Sequence, residues 1–478
     1  MTVTITEADA IEPAGRLRRG VRVAAVWSYV LLLAWAPFPL GGAVSWGAGF
    51  QVLLLALCWA LWALSVWNEP EPIWPHARAL AVPLALVVLV LGWAFVQTLP
   101  IIPSDWAHPL WSMAGGAIGQ PVSAVISLNP WRTHAQILQL SGYLAACSLA
   151  VLMGRRTEIA GLLLNAVIAI GALYALYAVG LALAGLSQAQ IIYGLAIPAS
   201  FVSGPFMLHN SFATYCGLAT VAAVVKLFQS GSPSIVVDRG WRRLTLTVTQ
   251  FVFGRGAPIL IAALLTFGGV VASASRAGFA ATMCGLFAVA LAALLIRTQG
   301  RARGWAVFGA LVAIAPLLIL VIANGDTLSD RLIQLLDAGT ADQLRLALWA
   351  ASRRMIANSP WLGLGLGTFQ DAYPLYATQV FAFVMDKAHC DYLEFAAGIG
   401  LPAAIAWWSA MAWAFALCLR GVRLRRRHRL YALAAVGATV LVAVHSSVDF
   451  SLQIPAVGLS FATLLGLGLA QAFPSRAS

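Results

Sequence analysis

Residues 257–296 read APILIAALLTFGGVVASASRAGFAATMCGLFAVALAALLI. Two apolar runs, 257–274 and 277–296, are joined here by the polar turn Ser273-Ala274-Ser275-Arg276-Ala277-Gly278. Each run is close to the roughly 20 residues that cross a hydrocarbon layer. In lipid every backbone polar group must be paired within its own segment, so such runs are helices. The same pattern recurs at 22–40, 43–66, 79–98, 134–153, 159–185, 209–229, 305–323, 395–419, 430–447 and 454–473. The chain has 478 residues, 61% of them hydrophobic and only 10% charged. That is too little charge for a soluble protein of this length. The sequence therefore predicts an all-α, polytopic membrane protein of about twelve spans. They form a single integral domain over 22–474, between cytoplasmic tails at 1–21 and 475–478.

Basic residues set the orientation. With twelve spans both termini share a side, and 22 of the 29 Lys and Arg fall on that side. The richer side is cytoplasmic by the positive-inside rule. The net charge of +12 then reports topology and contact with anionic lipid headgroups, and no nucleic-acid partner is expected. The Arg-rich start is expected to lead into a retained first span and not a cleaved signal peptide, because Val23 to Leu40 is too long and carries Pro37 and Pro39. The six cysteines, at 58, 147, 216, 284, 390 and 418, include no CxxC pair, and five lie in expected spans. They predict neither a disulfide framework nor a zinc site.

One long polar segment, 324–388, is expected as a periplasmic loop between the ninth and tenth spans. Within it Thr340-Ala341-Asp342-Gln343 has capping-box spacing. An amphipathic helix is predicted over about 341–357, with Arg345, Trp349 and Arg353 on one face. The string Gly363-Leu364-Gly365-Leu366-Gly367 lacks dinucleotide-fingerprint spacing and reads as tight turns or close backbone approach. Trp106, His108, Trp111, Trp131 and His134, in and beside 99–133, read as an interfacial belt.

Five polar knots fall on the outer side. The turn at Arg276 either snorkels to the interface or presents a guanidinium to an anion. Arg345 and Arg353 sit on the predicted loop helix, where Arg353 and Arg354 also read as a solvated face, while Arg345 stands among Leu, Ala and Trp. His389-Cys390-Asp391-Tyr392-Leu393-Glu394 opens the next span. Its histidine is either a structural hydrogen-bonder or a neutral base near pH 7. Asp391 could orient that ring, and Tyr392 could anchor the span. His445 and Asp449, four apart in His445-Ser446-Ser447-Val448-Asp449-Phe450, read as a polar pair on one helical face. His209 and Asn210, opening the sixth span, are candidate acceptor or phosphate contacts. A base plus several arginines suits transfer of a group away from a diphosphate leaving group, whose charge the arginines would neutralise. No acidic metal cluster is apparent, so a metal-independent reaction without cofactor is expected.

Four stretches carry a resemblance: Ser275-Arg276-Ala277-Gly278; Arg345 with Trp349 ahead of Asn358-Ser359-Pro360-Trp361-Leu362-Gly363-Leu364-Gly365; Ala388 to Glu394 leading to Gly400-Leu401-Pro402; and His445 to Phe450. In this order, over roughly 257–455, the chain resembles the O-antigen ligase and polymerase family of bacterial membrane glycosyltransferases. The resemblance implies an inner-membrane enzyme active at the periplasmic face. It implies an undecaprenyl-diphosphate-linked glycan as donor, with lipid A-core, another glycan chain or a protein side chain as acceptor. It also implies that Arg276, Arg345 and His389 are the catalytic residues. Asp391, Tyr392, His209, Asn210, Arg353, His445 and Asp449 are expected around the substrates. Cys390 stands where the family pattern usually has Asn, which weakens any role assigned to an amide there and leaves His389 and Asp391 intact.

Two other classes stay in play. A twelve-helix transporter would place charged or broken-helix sites near the bilayer midplane, whereas these spans keep their charges at their ends. A scaffold of a polysaccharide assembly complex would tolerate loss of the Arg and His residues.

Overall fold

The computed structural model describes residues 13–44, 46–67, 77–194, 202–230, 256–297, 339–379, 381, 384–425 and 427–473. Among them there is helix and loop but no strand. In chain order the helices are α1 (Pro13–Trp35), α2 (Gly47–Val66), α3 (Ala77–Val96), α4 (Leu110–Ile118), α5 (Pro130–Gly154), α6 (Thr157–Leu183), α7 (Gln188–Tyr193) and α8 (His209–Ser230). They continue as α9 (Ala257–Ala272), α10 (Arg276–Arg297), α11 (Gly339–Asn358), α12 (Phe369–Tyr376), α13 (Asp391–Ile399), α14 (Leu401–Leu424), α15 (Arg429–His445) and α16 (Pro455–Gln471).

Seven of these, α2, α3, α5, α6, α8, α10 and α14, are long and apolar enough to cross a membrane, by length and composition. Three more, α9, α15 and α16, are apolar but shorter, at 16 or 17 residues. Their shortness has a packing reason in the case of α16, all of whose residues are buried. A helix enclosed by others need not match the thickness of the lipid. The expected span 305–323 and the first part of the long loop, up to 338, lie outside the described residues.

Two expected spans differ in detail. The first helix starts at Pro13 and ends at Trp35, because Pro37 and Pro39 disfavour helix in the residues before them. Leu40–Gly42 then forms a 3-10 turn with Gly41 and Gly42 at positive φ. The stretch expected as one span over 395–419 is broken at Gly400 into α13 and α14. Gly400 has φ +78°, where side-chain-bearing residues are strained. At nine residues, α13 is far too short to cross a bilayer.

The helix ends sort into two layers. At one end, Arg22 bonds the Ser65 carbonyl, Gln471 bonds the Gly154 carbonyl, and Arg425 reaches Gln471 and the Phe473 carbonyl. At the other end, Gln188 donates to the Phe38 carbonyl, and Gly41 packs on Phe206 and Ile454. The Ser273–Arg276 turn, the start of α8, the start of α13 and the end of α15 all belong to this second layer, joined by the hydrogen bonds described next.

Candidate active site

At the start of α8, His209 Nδ1 lies 2.9 Å from the Ser273 carbonyl oxygen. Ser275 Oγ donates to Asn210 Oδ1 at 2.7 Å. The turn itself is tight. Ala274 has φ +54°, the Ser275 N–H donates to Ser273 Oγ at 3.2 Å, and the Gly278 N–H to Ser275 Oγ at 3.0 Å. These bonds fix where α10 begins, and Arg276 is its first residue. The Arg276 side chain is exposed and has no ion-pair partner among the described residues.

One turn down α8, Thr214 Oγ1 bonds the Asn210 carbonyl at 3.1 Å and lies 3.1 Å from His445 Nδ1. His445 ends α15, but the Asp449 N–H still donates to the His445 carbonyl at 3.0 Å. That last turn brings Asp449 Oδ2 to 3.8 Å from His445 Nε2, both side chains being 1% exposed. The other oxygen, Asp449 Oδ1, accepts the Phe450 N–H at 2.9 Å and sits 3.4 Å from His389 Nδ1. The 3.4 Å contact is an ion-pair distance without hydrogen-bond alignment, and His389 Nδ1, His445 Nε2 and Asp449 Oδ2 have no hydrogen-bond partner among the described residues. Burial would raise the Asp449 carboxyl. The His389 ring, the His445 ring and the Phe450 N–H outweigh it and hold the group below the usual carboxylate value.

His389 is held from three directions. Its backbone is left-handed at φ +51°. Its ring meets Phe450 edge-on, with centroids 4.9 Å apart. Its carbonyl accepts from Trp349 Nε1 on α11 at 3.3 Å. The side chain keeps 28% of its surface exposed, so the ring is anchored on Asp449 yet reachable. Arg345, one turn before Trp349 on α11, is half-buried and near enough for its charge to act on the His445 ring.

Asp391 does not orient His389. The left-handed His389 and the extended Cys390 (φ −163°) separate the two side chains. The Asp391 N–H bonds the Ser446 carbonyl at 2.9 Å. Its carboxylate accepts from Ser446 Oγ at 2.7 Å and Gln453 Nε2 at 2.8 Å. Burial raises this carboxyl to about 7 against those bonds. Beside it, Glu394 accepts from the Ala388 N–H at 2.8 Å and pairs with Lys387 at 3.4 Å. Cys390 is buried, which pushes its thiol up and away from thiolate reactivity.

The glycine string supports this loop. Leu364 and Gly365 donate their N–H groups to the carbonyls of Ala397 and Gly398 at 3.0 and 2.9 Å. A Cβ on Gly363 would come within 2.3 Å of the Gly398 oxygen. Gln97, fully buried at the end of α3, donates to the Leu362 and Gly398 carbonyls and accepts the Leu366 N–H. Trp93 donates to the last carbonyl of α13, at Ile399. The expected close backbone approach of the glycines is therefore seen, with Gln97 as its pin.

Of the residues singled out by sequence, His209, Asn210, His389, His445 and Asp449 lie on one run of contacts from α8 to α15. Arg276 and Arg345 border it. Tyr392 is set apart, its hydroxyl on the Ala443 carbonyl at 2.8 Å and its ring against Trp408. Arg353 is exposed and directed away from the buried side of α11, where Leu348, Ser352 and Met355 pack. Thr214, Ser446, Gln453 and Gln97 were missed. Their only sequence signal is a polar residue inside or beside an apolar run.

With this geometry in view, residues 261–408 match the family model described as O-antigen ligase. The matched region holds Arg276, Arg345 and His389, and the family is the one that the motifs resemble. Comparison with curated proteins gave no match.

Proposed function

We propose that the protein is a membrane glycosyltransferase of the O-antigen ligase and polymerase type. It moves a glycan from an undecaprenyl diphosphate carrier to an acceptor hydroxyl at the periplasmic face of the inner membrane. The acceptor oxygen attacks the anomeric carbon, and the bond from that carbon to the diphosphate oxygen breaks. The hydroxyl proton passes to His389, and the negative charge left on the diphosphate is taken up by Arg276 and Arg345.

The observation that carries this reading is the pairing of His389 Nδ1 with a buried Asp449 carboxylate at 3.4 Å. The neighbouring carboxylate favours the tautomer with its proton on Nδ1, which leaves the lone pair on Nε2 as the base. The carboxylate then stabilises the imidazolium that forms. The exposed Arg276 at the start of α10 gains support as an anion contact from the positive end of that helix's dipole.

Replacing His389, Arg276 or Arg345 by Ala at unchanged protein level, followed by blotting of the surface glycan, tests the assignment. Loss of a general base lowers the rate about 10²–10⁴-fold. Loss of a charge-stabilising group lowers it about 10²–10³-fold. Undiminished product from His389→Ala removes the base. Silence of all three substitutions favours a scaffold.

A further inference from the structure

A cavity of about 420 Å³ lies between α5, α13, α14, α15 and α16. Its walls are apolar, among them Met411, Phe415, Val442, Phe461 and Leu465. Most of its polar side chains gather at the end where Asp391, Tyr392, Ser446 and Gln453 line it, with Thr439 two turns away along α15. Two of its lining residues, Ala412 on α14 and Ala443 on α15, are exposed. The opening is therefore lateral, between two membrane-depth helices, where the surrounding solvent is hydrocarbon.

Helix α15 is the wall between this cavity and the histidine run. Thr439, Val442, Ala443 and Ser446 share the cavity face. The opposite face turns to α8 and α10: Leu441 packs on Gly217 and Gly285, and His445 meets Thr214. Arg276 begins α10, so it stands on the far side of the wall. No Lys or Arg is among the described residues lining the cavity. Lys387, which touches the lining residue Gln453, is engaged by Glu394 and by the Gln453 amide oxygen. A diphosphate finds no counter-charge here, whereas a hydroxyl finds a carboxyl, a serine hydroxyl and an amide.

We propose that this cavity is an acceptor subsite. It takes the hydrocarbon chain of an amphiphile whose uncharged, hydroxyl-bearing head lies against Asp391, Ser446 and Gln453. The proposal rests on the reading of His389 as the base for an acceptor hydroxyl. The Asp391 N–H bonds the Ser446 carbonyl at 2.9 Å, and α15 ends at His445, so the rim abuts the histidine run where the wall stops. The carrier's diphosphate and the acceptor's head then approach His389 from opposite sides of α15.

The test is a labelling experiment on the full-length protein in nanodiscs, independent of turnover. The probe is a long-chain alkyl glucoside with a diazirine on its chain, and undecaprenyl phosphate is the competitor. The glucoside is expected to label peptides from 407–415 and 439–446. Labelling should fall at least tenfold in Ala412→Phe and in Ala443→Phe, each of which narrows the opening, and should survive excess undecaprenyl phosphate. Displacement by undecaprenyl phosphate would overturn the proposal, since the cavity would then hold the carrier chain. Equal labelling of wild type and both variants would overturn it too, as would no labelling of the wild type. Because no step needs transfer, a failure here is separable from a failure of the proposed reaction.

Discussion

Asp391 and Asp449 belong to the same corner of the fold and are held in opposite electrostatic states. Burial lifts Asp391 to about 7 from an ordinary 3.8, whereas its neighbours keep Asp449 below 3.8. A carboxyl raised on folding contributes stability that is complete below its unfolded value and lost as pH rises through the folded one. For Asp391 that window runs from about 3.8 to about 7. The Asp449 contribution has the other sign, present above the ordinary value and lost only in acid, so it does not interfere there. Asp391→Asn should therefore unfold at a temperature that rises relative to wild type between about pH 4.5 and 7.5, measured by thermal unfolding in detergent. A constant offset across that range would show that Asp391 does not titrate in it. At this scale the sequence was half legible. Ionisable groups at span ends stand out against lipid, which picked out His389, His445 and Asp449. The partner of His389 did not stand out, because Asp391 is near in sequence while Asp449 arrives only through the packing of α15 on α8.

The element that positions the site is the loop from Ser359 to Gly367 packed on α13 and Gly400. Its glycines are required on two counts. Gly363 has φ +72°, and an added Cβ would meet the Gly398 oxygen at 2.3 Å. Gly363→Ala should cost more than the roughly 1–2 kcal/mol of left-handed backbone alone. It should also displace α13, so that chemical denaturation and transfer rate fall together. Loss of stability with unchanged rate would mean that the loop does not position His389. The close approach was readable from the glycine spacing. The break at Gly400 was not, because Phe395 to Ile399 is as apolar as the span that follows and hydropathy alone joins them. What separates them is a set of contacts distant in sequence, from Gln97, Trp93 and Trp361.

By the positive-inside rule, 22 of the 29 basic residues lead one to expect the polar knots together on the opposite face. The structure joins the helix ends bearing those knots by hydrogen bonds in a single layer. That the chain is helical with apolar runs of membrane length was legible, because the lipid imposes it: seven described helices meet that length and composition. The placement of α16 in the centre was not, since a buried apolar helix and a lipid-facing one have the same composition. The proposed transfer, as against transport, calls for the histidines and Asp449 together at one end of the bundle and for none at mid-depth. The most direct measurement is glycan transfer by the purified protein in proteoliposomes supplied with lipid-linked donor and a hydroxyl acceptor on the face bearing His389. Transferred glycan should appear with wild type and fall about 10²–10⁴-fold with His389→Ala. Passage of donor across the bilayer without transfer, or equal transfer by the His389→Ala protein, would contradict the account.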